Sequence, residues 1–202
     1  MNILFVCTGN TCRSPMAEAL LKSKWPEEKV RSAGVFAGEG EPMAANSDVV
    51  LRENGFSLDH QTTQVREELL EWADLILTMT DRHKQALALQ FPHHEDKYFT
   101  LKEYVLIDQE EWQQLKELYA AFEEKRSEIM QNGTDLSPGA LEDKLRKELA
   151  EEIKQIQQIE QQLPDVNIID PFGGNVNIYR ETRDELEKHI ELLVKKLENR
   201  DK

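Results

Sequence analysis

Ile3-Leu4-Phe5-Val6-Cys7-Thr8-Gly9-Asn10-Thr11-Cys12-Arg13-Ser14-Pro15-Met16-Ala17-Glu18 opens the chain and decides how the rest is read. The apolar run at residues 3–6 is rich in strand formers. Residues 15–21 are helical in composition, with a proline suited to a first turn. The polar residues between them therefore form a strand-to-helix loop. A helix that starts directly after such a loop presents unpaired backbone N–H groups and the positive end of its dipole, which together favour a bound oxyanion.

The side chains of the loop suit phosphoryl transfer. Cys7 ends the strand beside the helix N-terminus and an arginine, surroundings that favour a thiolate and make it the candidate nucleophile. Arg13 lies six positions later, so the loop can wrap a phosphate and return a guanidinium fork to it. The amides of Thr8, Gly9, Asn10, Thr11 and Cys12 are candidate phosphate donors. Ser14 can donate its hydroxyl to the sulfur as reactant and as leaving group.

With these residues on the page, the chain resembles the low-molecular-weight protein tyrosine phosphatase family. The resemblance continues through Ser32-Ala33-Gly34, residues 55–60, residues 73–79 and Asp170-Pro171-Phe172, in the family's order. Thr11 and Asp170-Pro171-Phe172-Gly173-Gly174 make it most similar to the bacterial protein-arginine phosphatases within that family. Tyrosine-specific relatives typically carry an aliphatic residue and a tyrosine at the positions of Thr11 and Phe172. The resemblance implies hydrolysis of phosphoarginine in proteins through a phosphocysteine, with Asp170 as general acid and then general base. It also implies Phe172 as an apolar wall, and Asn10, Ser32 and His60 as a polar network beneath the loop. A tyrosine phosphatase using the same machinery is the alternative. A redox-controlled partner-binding scaffold is a further one. Arsenate reductases share the fold, but they need a redox-active cysteine pair downstream, and this chain has no cysteine after Cys12.

Composition bounds the rest. With 202 residues, one α/β domain spanning 1–202 is expected. Strands expected at residues 3–6, 29–33, 75–79 and 98–101 alternate with helical segments, including 44–53 and 177–196. This pattern predicts a four-stranded parallel sheet flanked by helices, with the phosphate loop after the first strand. Between residues 107 and 165 the composition turns to Glu, Gln, Lys and Leu. Apolar residues recur there at helical spacing on either side of a break at 132–139, so an inserted α-helical hairpin is expected. The hairpin is open to two readings, a stripe that closes on itself or a surface for a protein partner.

The formal net charge of −14 disfavours nucleic acid and anionic membranes as partners. No run of 18 apolar residues is present, so a cytoplasmic, monomeric enzyme acting on phosphorylated proteins is expected. The five histidines form no ligand pattern and the proposed chemistry needs neither metal nor organic cofactor. Cys7 and Cys12 are the two cysteines, and if both face the pocket, Cys12 can trap an oxidised Cys7 as a disulfide, as the resemblance also implies.

Overall fold

A computed structural model describes residues 1–199. The chain divides into two compact units, one formed by Met1–Leu106 with the segment from Asp165 onward, the other by Ile107–Pro164.

The first unit is built on a sheet of four strands, β1 (Asn2–Cys7), β2 (Lys29–Gly34), β3 (Leu75–Thr78) and β4 (Tyr98–Thr100). Their order is β2-β1-β3-β4 and every pairing is parallel. Each return crossing carries helix, as parallel strands require. The crossings hold α1 (Arg13–Lys24), α2 (Ala45–Arg52), α3 (Glu67–Trp72) and α4 (Asp81–Gln90). After β4 comes α5 (Leu101–Leu106).

A parallel sheet covered on both faces must be apolar on both, and β1 shows why its sequence reads as an unbroken apolar run. Ile3, Phe5 and Cys7 point to one side, where they join Met16, Leu20, Leu21, Leu77, Leu186 and Ile190. Leu4 and Val6 point to the other, against Ala33, Leu70, Ile76 and Leu87. The strand period of two thus assigns alternate residues to two cores. The closing helix buries Tyr179, Thr182, Arg183, Leu186, His189, Ile190, Leu193 and Leu197, the three-and-four spacing of one helical face. This helix spans Val176–Glu198, and Asn175 caps it by accepting from the N–H groups of Asn177 and Ile178 at 2.9 and 3.3 Å.

In the second unit the helices are α6 (Gln109–Asn132), α7 (Pro138–Glu148) and α8 (Ala150–Glu160), which makes the closing helix of the first unit α9. A two-armed hairpin was the expectation. The second arm is instead divided at Leu149, which leaves helical geometry at φ −96° and ψ 2° while its carbonyl still accepts from Ile153 at 3.0 Å. Both pieces pack on α6, so the bend keeps the apolar stripe turned inward. Lys125 and Glu152 pair at 2.6 Å within this unit, and the Tyr119 hydroxyl donates to Glu160.

One glycine ties the fold to the loop after β1. A Cβ on Gly34, at the end of β2, would lie 2.5 Å from the Thr8 carbonyl oxygen and 2.8 Å from the Asn10 nitrogen. Both are backbone atoms, so nothing can rotate away. Gly34→Ala is expected to cost about 2 kcal/mol or more in urea unfolding and to lower phosphatase activity out of proportion to the fraction unfolded, because the loop has to shift.

Candidate active site

Cys7 is the last residue of β1 and Arg13 the first of α1, so Thr8 to Cys12 form the connection. The carbonyls of this loop are tied outward. Cys7 O accepts from Val35 N at 3.0 Å, Thr8 O from Phe36 N at 2.9 Å, and Thr11 O from Ala44 N at 2.9 Å. The His60 Nε2 nitrogen lies 2.7 Å from Asn10 O and donates to it. Across a trans peptide the C=O and N–H groups point in opposite directions. Fixing the carbonyls outward therefore turns the amides of Thr8, Gly9, Thr11 and Cys12 inward. The helix itself begins without a side-chain cap at Cys12, which leaves its first N–H groups for a ligand.

Asn10 holds this shape. It adopts φ 56°, a left-handed conformation that Asn tolerates better than most residues. Its buried side chain is fully engaged. Oδ1 accepts from Thr63 N at 2.9 Å, and Nδ2 donates to Ser14 Oγ and Ser32 Oγ, each at 2.9 Å. Ser32 passes its own hydrogen to Glu18 Oε2 at 2.6 Å, and Glu18 pairs with Lys22 at 2.5 Å. Ser14 Oγ stands 3.0 Å from Cys7 Sγ.

The pocket enclosed by the loop measures about 230 Å³ and is lined by Cys7, Thr8, Gly9, Thr11, Cys12, Arg13, Asp170 and Phe172. Arg13 is 5% exposed, and its Nη2 donates to Asp170 Oδ2 at 2.8 Å. Its Nε–H is buried without a hydrogen-bond partner, a donor that a bound anion can satisfy. Asp170 is half exposed, and its second oxygen accepts from Phe172 N at 3.2 Å in a local turn. The Phe172 ring is 78% exposed at the rim, where a planar substrate group can cover it. Cys12 Sγ contacts the Tyr179 hydroxyl at 3.4 Å and Thr11 Oγ1 at 3.5 Å. Burial, then the contact with Cys12, raises the Tyr179 phenol above its ordinary range.

Of the residues expected from the sequence, Cys7, Thr8, Gly9, Thr11, Cys12, Arg13, Asp170 and Phe172 line the pocket, Ser14 contacts Cys7, and Asn10, Ser32 and His60 lie further out in the hydrogen-bond network beneath the loop. Others escaped the reading. Glu18 and Tyr179 sit in helices whose sequence signals only an apolar face. His83 carried no recognisable pattern, yet its ring contacts Thr8 Oγ1 at 2.8 Å and Thr80 Oγ1 at 2.9 Å. A groove of about 670 Å³ runs on from the pocket, sharing Thr8, Arg13 and Asp170 with it and continuing past Phe36, Arg82 and Asn167. Among the described residues no three His, Cys, Asp or Glu side chains group as a metal site would need, and no helix is long and apolar enough to cross a membrane.

A thiol at the floor of an anion cradle, with a guanidinium and a carboxylate at its mouth, defines a phosphatase of the cysteine-dependent class. The chain belongs to the low molecular weight phosphotyrosine protein phosphatase family, whose profile matches residues 2–150. It is 38% identical to the protein-arginine-phosphatase of Bacillus subtilis strain 168 over 98% of this chain and 97% of that one. Among solved structures it resembles the YwlE arginine phosphatase of Geobacillus stearothermophilus, at 36% identity, a TM-score of 0.68 and coverage of 98% and 94%. It also resembles a C7S mutant of YwlE arginine phosphatase with a phosphorylated active site serine, with the same identity and TM-score and coverage of 98% and 96%.

The buried His83 gives the site a pH signature. Burial, reinforced by the nearby Arg13 charge and partly offset by Asp170, lowers its pKa from 6.5 to about 4. The unfolded chain takes up a proton near pH 6.5 that the folded chain refuses until about pH 4. This part of the stability is therefore complete above pH 6.5 and lost as pH falls towards 4, by up to about 3 kcal/mol. Chemical unfolding of wild type and His83→Asn across pH 4–7.5 should show a steeper loss in the wild type on acidification. Parallel curves would contradict it.

Proposed function

We propose that the protein hydrolyses phosphoarginine in proteins. The observation that carries the reading is that Asp170 already holds a guanidinium, that of Arg13, at 2.8 Å at the mouth of a small pocket whose other walls are Thr11 and the exposed Phe172 ring. A substrate phosphate competes for Arg13 and leaves the carboxylate facing the substrate's own guanidino group. Thr11 places a hydroxyl where an aliphatic side chain would suit a phenyl ring. The full-length likeness to proteins named arginine phosphatases supports the same assignment.

In the reaction Cys7 Sγ attacks phosphorus in line with the P–N bond. The inward amides and Arg13 take up charge on the equatorial oxygens. Asp170, in its carboxylic-acid form, gives its proton to the leaving nitrogen as that bond breaks, and the phosphoryl group passes to sulfur. Asp170 then takes a proton from the water that attacks the phosphocysteine, and inorganic phosphate leaves. Ser14 donates its hydrogen to the sulfur before attack and as it departs. The phosphorylated serine named for the related C7S mutant is in line with a phosphorylated residue at this position. That Cys12 lines the same pocket supports the reading that, after a peroxide oxidises Cys7 to a sulfenic acid, the Cys12 thiol displaces water from it to give a disulfide.

Hydrolysis of phosphotyrosine is the second reading, favoured by the family's own name and by the flat apolar face of Phe172. The scaffold reading has no comparable support, since the relatives are named as phosphatases. Residues 107–165 are read as an insertion in the phosphatase domain.

The deciding measurement is kcat/KM on a phosphoarginine peptide against a matched phosphotyrosine peptide. We expect a strong preference for phosphoarginine that Thr11→Ile erases or reverses, whereas a wild-type preference for phosphotyrosine moves the chain to the second reading. Cys7→Ser should abolish turnover on both. Asp170→Asn should lower kcat by about 10²–10⁴-fold, the range of a lost general acid.

A further inference from the structure

His83 takes no part in the steps above, yet it is buried at the edge of the site, 6% exposed on the first turn of α4. Its ring spans two hydroxyls, with Nδ1 2.9 Å from Thr80 Oγ1 and Nε2 2.8 Å from Thr8 Oγ1. Thr80 is the cap of α4, and its oxygen also accepts from the backbone N–H of His83 at 3.4 Å.

A neutral imidazole carries one ring hydrogen and a hydroxyl carries one. With the ring hydrogen on Nδ1, both donors of His83 converge on Thr80 Oγ1, and the hydrogen of Thr80 itself has no acceptor in this network. With it on Nε2, Thr80 accepts from the backbone and gives its hydrogen to Nδ1, and the hydrogen left over is that of Thr8, which is exposed where Thr80 is partly buried. The tautomer assigned from the partners therefore donates from Nε2 to Thr8 Oγ1. The Thr8 oxygen then has its own hydrogen to give elsewhere. Thr8 follows the nucleophile directly and lines both the pocket and the adjoining groove. A phosphoryl dianion in the cradle adds to the bias, since its oxygens attract a hydroxyl hydrogen and repel a lone pair. Burial and the Arg13 charge keep the ring neutral over the working pH range, so the arrangement persists when substrate binds.

We propose that His83 is a positioning residue that fixes the Thr8 hydroxyl as a donor to a phosphoryl oxygen, adding one side-chain hydrogen bond to a cradle otherwise made of backbone amides and Arg13. The inference rests on the pocket being the phosphate site and holds for phosphoarginine and phosphotyrosine alike. Its reach is limited to the phosphoryl group, so it is separable from the choice between those substrates.

The test is calorimetric binding of inorganic phosphate to the Cys7→Ser protein, combined in turn with Thr8→Val, His83→Asn, both together, and His83→Gln. Asparagine reproduces the reach of Nδ1 to Thr80 but not of Nε2 to Thr8, whereas glutamine reproduces the latter. Thr8→Val and His83→Asn should each weaken phosphate binding about tenfold, the double variant should be no weaker than either alone, and His83→Gln should retain most of the affinity. A merely structural histidine would not spare the pair from additivity. Additive losses, or a Thr8→Val protein that binds phosphate as tightly as its parent, would overturn the proposal. Failure of the Cys7→Ser parent itself to bind phosphate would overturn the pocket assignment instead.

Discussion

The outward pull on the carbonyls of the loop between β1 and α1 is the constraint on which the rest of the site depends. A five-residue connection could satisfy its backbone groups in several ways, and most would leave carbonyl oxygens facing Cys7. A phosphate dianion would be repelled by them. Here β2 and the segment after it supply Val35 and Phe36 as donors, the start of α2 supplies Ala44, and His60 supplies an imidazole N–H. These elements are brought to one place by the parallel sheet, whose strands all end at the same edge. The fold does not merely carry the loop. It holds the carbonyls that would otherwise spoil it.

Holding the loop from beneath requires polar groups in the interior, which is costly unless each is paired. Asn10, Ser14 and Ser32 meet that condition with a fixed sense of donation. Glu18 accepts only, so the single hydrogen of Ser32 goes to it and Ser32 must accept from Asn10. Both amide hydrogens of Asn10 are then committed, and the hydrogen of Ser14 remains for Cys7 Sγ at 3.0 Å or for Ala33 O at 3.3 Å. A carboxylate well away from the thiol thus decides that the serine beside the thiol is a donor. The left-handed turn at Asn10, which costs an ordinary residue about 1–2 kcal/mol and an asparagine less, persists because the same side chain is over-determined by its partners.

What the sequence disclosed follows from where the physics is local. Residues 3–16 specify strand, loop and helix through composition alone, and the cysteine-to-arginine spacing specifies an anion site within it. The alternating cores of β1 and the buried face of α9 follow from periods of two and 3.6. His83, Glu18 and Tyr179 were not legible, because their roles arise from contacts 75, 14 and 167 residues away in the chain. The division at Leu149 was equally hidden. Leucine is a good helix former, so local propensity gives no sign of a bend there, and both pieces of the divided arm pack on α6.

In the proposed reaction, Asp170 and Arg13 link substrate binding to acid catalysis. In the free protein they form an ion pair whose carboxylate is 53% exposed, so solvent screening keeps it worth about 1 kcal/mol or less. A phosphate seated in the loop offers Arg13 two charge-assisted bonds in a less hydrated place, together with the unpartnered Nε–H. In the proposed reaction the phosphate wins that competition, and the carboxyl group is released as the leaving group arrives beside it. On the proposed reading, the guanidinium that restrains Asp170 in the free protein is the group that binds the phosphate, so the carboxyl group is freed only when there is a bond to cleave.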